Sequence, residues 1–128
     1  MKSLNHQRAS AAERFWHDLG RHAPRGEQIE ASLRKLCAAI HRRGLLSVTA
    51  SLHEIRRNGG GSQSTFEEVL LLEIGRHLIS REIGLLSFPV RSLEDLLRGL
   101  TAGSSVMLLP ATIESLNYLG FLKRACPR

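Results

Sequence analysis

The stretch from Glu27 to Arg81, EQIEASLRKLCAAIHRRGLLSVTASLHEIRRNGGGSQSTFEEVLLLEIGRHLISR, sets the fold class of this 128-residue chain. Ile29, Leu33, Leu36, Cys37 and Ile40 recur at i, i+4, i+7, i+8 and i+11, the narrow apolar stripe of an amphipathic helix over Glu27–Arg43. Gly44 supplies its stop. Val48, Leu52 and Ile55 then mark the inner face of a second helix, which ends at Arg56-Arg57-Asn58 before Gly59-Gly60-Gly61. Ser62 or Ser64 is placed to cap a third helix of this stretch, running to about Arg81. Its apolar residues Phe66, Val69, Leu70, Leu71, Leu72, Ile74, Leu78 and Ile79 reach nearly all the way round. Such a helix is either buried centrally or faces both its own core and a second subunit.

Helical signals continue on both sides. Ser10-Ala11-Ala12-Glu13 has capping-box spacing and opens a short helix ending at Gly20. Ile83 to Val90 is apolar and contains Pro89, which fits a strand or a packed loop. Ser92 opens a helix carrying Leu93, Leu96, Leu97 and Leu100, broken at Gly103-Ser104-Ser105. Thr112 begins a last short helix with Ile113, Leu116 and Leu119, stopped near Gly120. The expected fold is all-α, five to six short helices with a helix-turn-helix-like N-terminal half. Three regions are expected: 1–26, an N-terminal arm and short helix; 27–82, a helix-turn-helix DNA-binding region; and 83–128, a helical core and self-association region.

Apolar residues make up 42% of the chain. That is too many for intrinsic disorder, and no stretch approaches a membrane span. The first eight residues lack the apolar core of a signal peptide. Cys37 and Cys126 alone give no disulfide framework, so a reducing, cytoplasmic location is expected. The net charge of +6 is unevenly placed. Residues 1–61 hold 11 Lys or Arg against 5 Asp or Glu, whereas residues 62–128 hold 7 against 7. Five of the six His also lie in the first half. A basic surface confined to one half is the electrostatic footprint of a polyanion partner, although small Arg-rich domains are often basic without binding one. The aromatic content of 5% is low. It does not suit the stacking platforms of single-stranded nucleic acid or RNA modules. Double-stranded DNA fits better.

Three short helices in a row, with glycine at the connections, meet the requirement of a helix-turn-helix. Arg42-Arg43 and Arg56-Arg57 end successive helices, where they are placed for phosphate contacts. Glycines before a helix N-terminus let backbone N–H groups approach an anion closely. Ser62, Ser64 and Thr65 add hydroxyls, and Gln63 can pair with an adenine edge. The competing view of Gly59–Gly61 is a flexible linker, and Glu67 and Glu68 one turn on oppose deep insertion beside phosphates. No nucleotide-binding loop is expected, because no Lys-Ser/Thr pair follows the glycines. No metal, cofactor or enzyme activity is expected either. His17 and His22 do not share a helical face, and His41 and His53 lie amid arginines. His77 is expected at the edge of the core and Cys37 within it. Glu67-Glu68, Glu73 and Glu94-Asp95 have no basic or nucleophilic partner at a telling spacing.

Gly44, Ser47-Val48, Gly60-Gly61-Ser62 and Thr65-Phe66 give Ile29 to about Leu78 a pattern that resembles the N-terminal helix-turn-helix domain of KfrA-type plasmid regulators. That resemblance implies a DNA-binding, often self-repressing regulator. From Phe66 to Phe121, Leu70-Leu71-Leu72, Leu85 to Val90, Leu100-Thr101 and Val106-Met107-Leu108-Leu109 are similar to FlhD-type flagellar transcriptional regulators. That similarity implies an all-helical dimer acting with a second regulatory protein. Sequence and resemblance together lead to the expectation of a small transcriptional regulator, homodimeric and without membrane association. It would contact duplex DNA through Arg42, Arg43, Arg56, Arg57, Ser62, Gln63, Ser64 and Thr65. The alternative is a non-enzymatic helical adaptor that binds a partner protein and does not touch DNA.

Overall fold

Apolar residues spaced three and four apart cannot be hidden by one helix alone, so each helix must lay its stripe against others. The computed structural model describes residues 3–20, 26–58, 65–80, 83–86, 89–102 and 105–126. It contains α1 (Leu4–Leu19), α2 (Gly26–Arg43), α3 (Leu45–Arg57), α4 (Phe66–Ile79), α5 (Leu93–Ala102) and α6 (Leu108–Ala125). A 3₁₀ turn, Ser105–Met107, leads into α6. The fold is all-α, and no strand occurs among the described residues.

The nearly all-round apolar helix is central. Leu70, Leu71, Ile74 and Leu78 of α4 are wholly buried, and α4 packs against α2, α5 and α6. Each such side chain contributes on the order of 1.5–3 kcal/mol of transfer free energy. α1 lies along α6, α2 against α3 and α6, and α3 against α5. One apolar core therefore includes residues from all six helices. Trp16 fixes the α1–α6 contact: it is buried, packs beside Phe15 and Phe66, and donates its indole N–H to the Leu122 carbonyl at 2.9 Å.

α4 carries one glycine at a close approach. A Cβ on Gly75 would lie 2.8 Å from Val90 Cγ1 and 3.3 Å from Leu96 Cδ1. Only glycine admits the chain there without displacing a neighbour.

Several local expectations are corrected. α1 starts nearly two turns before Ser10, and its N-cap is Ser3, whose hydroxyl accepts from the His6 N–H. α6 starts at Leu108 rather than Thr112 and runs through Gly120 to Ala125. Pro110 falls in its first turn, where a missing N–H removes no helical bond. α4 ends at Ile79 and gives way to packed loop, in which the Leu85 and Leu86 N–H groups both donate to the Leu78 carbonyl. Cys37 is exposed, because the buried face of α2 turns toward Ser32. Ile55 is 57% exposed, since the core face of α3 is set by Leu45, Val48 and Thr49.

Candidate nucleic-acid interface

α2 and α3 are joined through a single residue, Gly44, at φ +86°. This is a left-handed conformation that glycine adopts without strain. Its N–H still closes the last turn of α2 on the Ile40 carbonyl, at 2.8 Å. α3 has no capping side chain of its own at this corner. Instead Thr112 of α6 reaches across and accepts from the Leu45 N–H at 3.1 Å. The angle between α2 and α3 is thus held by the third helix of the corner.

The corner places the arginines at two ends of α3. Arg42 and Arg43 close α2 and are exposed. Arg43 bends along the first half of α3 and donates to the Ser51 hydroxyl at its middle. Arg42 faces the other way, into a groove between α2 and α6. Arg56 and Arg57 close α3. At the usual helical rise they stand roughly 20 Å from the corner. Arg56 is tied to α4 through Glu68, at 3.0 Å, and Arg57 is exposed. The thirteen-residue helix between these ends turns outward a face that is mostly small and polar, with the exposed Ile55 on its flank. Ser47, Glu54 and Asn58 are exposed there, with half-buried Ala50 and Ser51 between them. Small side chains allow close approach, and Ser, Asn and Glu are all capable of pairing with base edges.

Thr65 is the N-cap of α4; its hydroxyl accepts from the Glu68 N–H at 3.2 Å. Glu68 is buried beneath Arg56, and Glu67 lies 4.0 Å from Lys35. Ser62, Gln63 and Ser64, with the three glycines before them, lie outside the described residues. The structure therefore brings the Arg43 guanidinium to the middle of α3, leaves Arg56 and Arg57 at the far end of that helix, and turns Arg42 aside.

A second constellation escaped sequence reasoning altogether. Glu73 and His77 stand four apart on α4, Glu114 and Tyr118 four apart on α6, and the two pairs cross. His77 Nε2 meets Glu114 Oε2 at 2.9 Å, and Tyr118 donates to Glu73 Oε2 at 2.5 Å. The His77 and Tyr118 rings stack with centroids 3.9 Å apart. Arg8 of α1 closes the network on Glu114, with Nη2 at 2.6 Å and Nε at 2.8 Å. Such a two-pronged arginine contact is among the stronger pairings of an ionised carboxylate. Glu73, expected to have no telling partner, in fact faces Tyr118. A usable signal existed: two apolar helices each carry a carboxylate and a ring donor at i, i+4, and such buried polar groups demand partners.

Burial pushes Glu73 above the ordinary carboxyl value, against the Tyr118 hydrogen bond and the nearby Arg76 and Arg14 charges. Burial alone would raise Glu114 as well, but the hydrogen bonds and charges of Arg8 and His77 outweigh it and hold that carboxyl below its ordinary value. Burial, then the Glu73 charge, push the Tyr118 phenol well up, so it stays a donor. The chemistry available is that of a closed, satisfied lock between α1, α4 and α6. No buried side-chain nitrogen or oxygen among the described residues lacks a partner.

Among the described residues no His, Cys, Asp and Glu group is arranged to hold a metal ion, and no helix is long and apolar enough to cross a membrane. No protein-family model, curated protein or solved structure matches the chain.

Proposed function

We propose that the protein is a small DNA-binding transcriptional regulator that presents α3 to duplex DNA. The observation that carries this is the outward face of α3: Ser47, Ser51, Glu54 and Asn58 form a short polar surface, with the Arg43 guanidinium held on Ser51 at its middle and Arg57 at its C-terminal end. A helix held at a fixed angle, with cations along one side and at its end and small polar residues beside them, suits base reading accompanied by phosphate contacts. The excess positive charge of the first half supports the same partner. Arg56, neutralised by Glu68, serves better as a brace for the end of α3 than as a phosphate ligand. Ser62, Gln63, Ser64 and Thr65 come soon after α3 in sequence and extend the proposed contact surface.

Self-association belongs to the proposal, because one short helix-turn-helix buries too little surface for tight, specific binding. Leu109 and Ile113, 66% and 50% exposed and one turn apart on α6, offer an apolar stripe for a second copy. That stripe is also what favours the alternative of an adaptor docking a partner protein without DNA contact. A cytoplasmic location accompanies either role.

A salt series of duplex-binding titrations separates the two. A regulator loses affinity steeply with salt, and Arg43→Ala and Arg57→Ala each flatten the logarithmic salt slope by about 1. Absence of saturable duplex binding at low salt, or unchanged slopes in both variants, would overturn the DNA-binding assignment.

A further inference from the structure

Helices α2 and α6 enclose a groove of about 560 Å³. That volume lies within the range of roughly 300–1,000 Å³ typical of small-molecule sites. Its floor is apolar, with Leu33 and Ala38 from α2 and Leu116, Leu119 and Gly120 from α6. Its charged lining is of one sign: Arg34 and Arg42 from α2 and Lys123 from α6, joined by the His41 imidazole. No carboxylate is among the described lining residues. The acidic side chains nearest in sequence on α2 are Glu30, one turn before Arg34, and Glu27, and neither lines the groove.

Three exposed cations around one groove raise the local positive potential and favour an anionic occupant. The apolar surface open there, exposed Ala38 and Cys37 with half-buried Leu116 above the buried Leu33 and Leu119, favours one with an apolar part. A wholly polar anion would leave the floor wet, and a neutral lipid would leave the cations unanswered. We infer that this groove binds a single-chain anionic amphiphile, an aliphatic carboxylate whose tail lies along Cys37, Ala38 and Leu116. Its head group is held by Arg34, Arg42 and Lys123. Arginine and lysine donors make short, strong hydrogen bonds to a carboxylate, so the head group fixes the orientation while the tail supplies most of the buried area. The inference is independent of DNA binding, since the groove and the outward face of α3 share no lining residue.

Cys37 lines the groove and is exposed, which provides a reporter inside the site. In the full chain carrying Cys126→Ser, maleimide labelling of Cys37 is followed while dodecanoate is added below its micelle concentration, alongside calorimetric titration. One dodecanoate per chain is expected, with Cys37 labelling slowed at least tenfold at saturation. Dodecanol and acetate are expected to do neither. Arg34→Gln with Lys123→Gln is expected to weaken dodecanoate about tenfold or more, because charge-assisted contacts are lost at solvent-exposed positions that the fold does not need. Ala38→Trp, which fills the groove from an exposed helical site, is expected to abolish binding. If that variant does not fold, Cys37 protection and the charge variant still decide the matter. Dodecanol binding as tightly as dodecanoate, dodecanoate binding that leaves Cys37 unprotected, or no saturable binding would each overturn the inference. So would labelling of Cys37 that is already blocked in the free protein and restored on dilution, because a second copy would then occupy the groove.

Discussion

Replacing Tyr118 by Phe removes one oxygen from the centre of the molecule and changes little else. The ring stays stacked on His77, and the side chain, wholly buried, keeps its volume. What is lost is the donor 2.5 Å from Glu73 Oε2, leaving a buried carboxylate that, among the described residues, keeps Arg76, at 3.8 Å, as its ion-pair partner. A hydrogen bond to a charged group contributes about 1.5–3 kcal/mol. At about 2.1 cal/mol/K per residue, a chain of this length unfolds with an entropy of about 0.27 kcal/mol/K, so the melting temperature should fall by roughly 6–11 °C. The size of the loss depends on pH in a definite direction. Glu73 has its folded value raised by burial, so the fold favours its neutral form. That contribution is full below the ordinary carboxyl value and fades as pH rises through the raised one. Tyr118→Phe is therefore most damaging at neutral pH. Below the raised value its cost shrinks to that of a neutral hydrogen bond, about 1 kcal/mol. Urea unfolding followed by the fluorescence of the buried Trp16 measures both limits. Pairing the change with Glu73→Leu should recover much of the loss, since both partners are then gone. A Tyr118→Phe protein as stable as the parent at neutral pH, or one whose defect grows on acidification, would refute the assigned role of the pair.

Two more outcomes concern the same core. Glu114→Gln should destabilise by about 2–3 kcal/mol at neutral pH, because two charge-assisted partners lose a shared carboxylate. Those partners are Arg8 and His77. Glu114 has its folded value lowered, so its contribution is present above the ordinary carboxyl value and is lost as pH falls through the lowered one. Parent and variant should therefore converge in acid, as read from unfolding midpoints across pH. Gly75→Ala should destabilise by about 1–2 kcal/mol, because overpacking outweighs the better helix propensity of alanine. The clash is with Val90, 2.8 Å from the added Cβ. The double change with Val90→Ala should restore most of that stability, measured by the same unfolding midpoints. A stabilised Gly75→Ala protein would show that the loop does not approach α4 so closely.

The helices that pack through a regular stripe were legible from sequence. α2, α3 and α5 match their expected spans to within a residue or two because the apolar period agrees with the local boundary signals. Those signals are Gly44 between α2 and α3 and the Ser92 hydroxyl that accepts from the Asp95 N–H at the start of α5. α1 and α6 were misjudged where tertiary contacts overrule local signals. The early turns of α1 are held by Arg8 on Glu114, 106 residues away, and no local pattern announces that bond. Gly120 reads as a stop, yet α6 continues because Leu122 packs in the core and Arg124 folds back over Phe121 and the Gly120 carbonyl. Of the candidate site, the positions of the arginine pairs at helix ends were readable; their directions were not. Arg56 meets Glu68 because α3 and α4 converge there. Arg42 parts from Arg43 because successive residues on a helix point about 100° apart.

α6 explains how one small core can carry two separable chemistries. Glu114 and Tyr118 face α1 and α4, whereas Leu116, Leu119, Gly120 and Lys123 lie toward another side of the same helix and form one wall of the groove. The first face is fixed by charged and aromatic contacts, and by the Trp16 bond to the Leu122 carbonyl one turn further on. The facing wall, α2, is fixed at its end by Gly44 and by the Thr112 bond that starts α3. Neither set of restraints uses a residue that lines the groove, so the groove is formed before anything enters it and a ligand need not supply the energy to shape it. Changes at the exposed positions Arg34, Ala38 and Lys123 should then alter occupancy with stability nearly unchanged, while changes at Glu114 or Tyr118 alter stability first. A groove whose shape depended on its ligand would show the reverse, with charge changes at its rim loosening the fold.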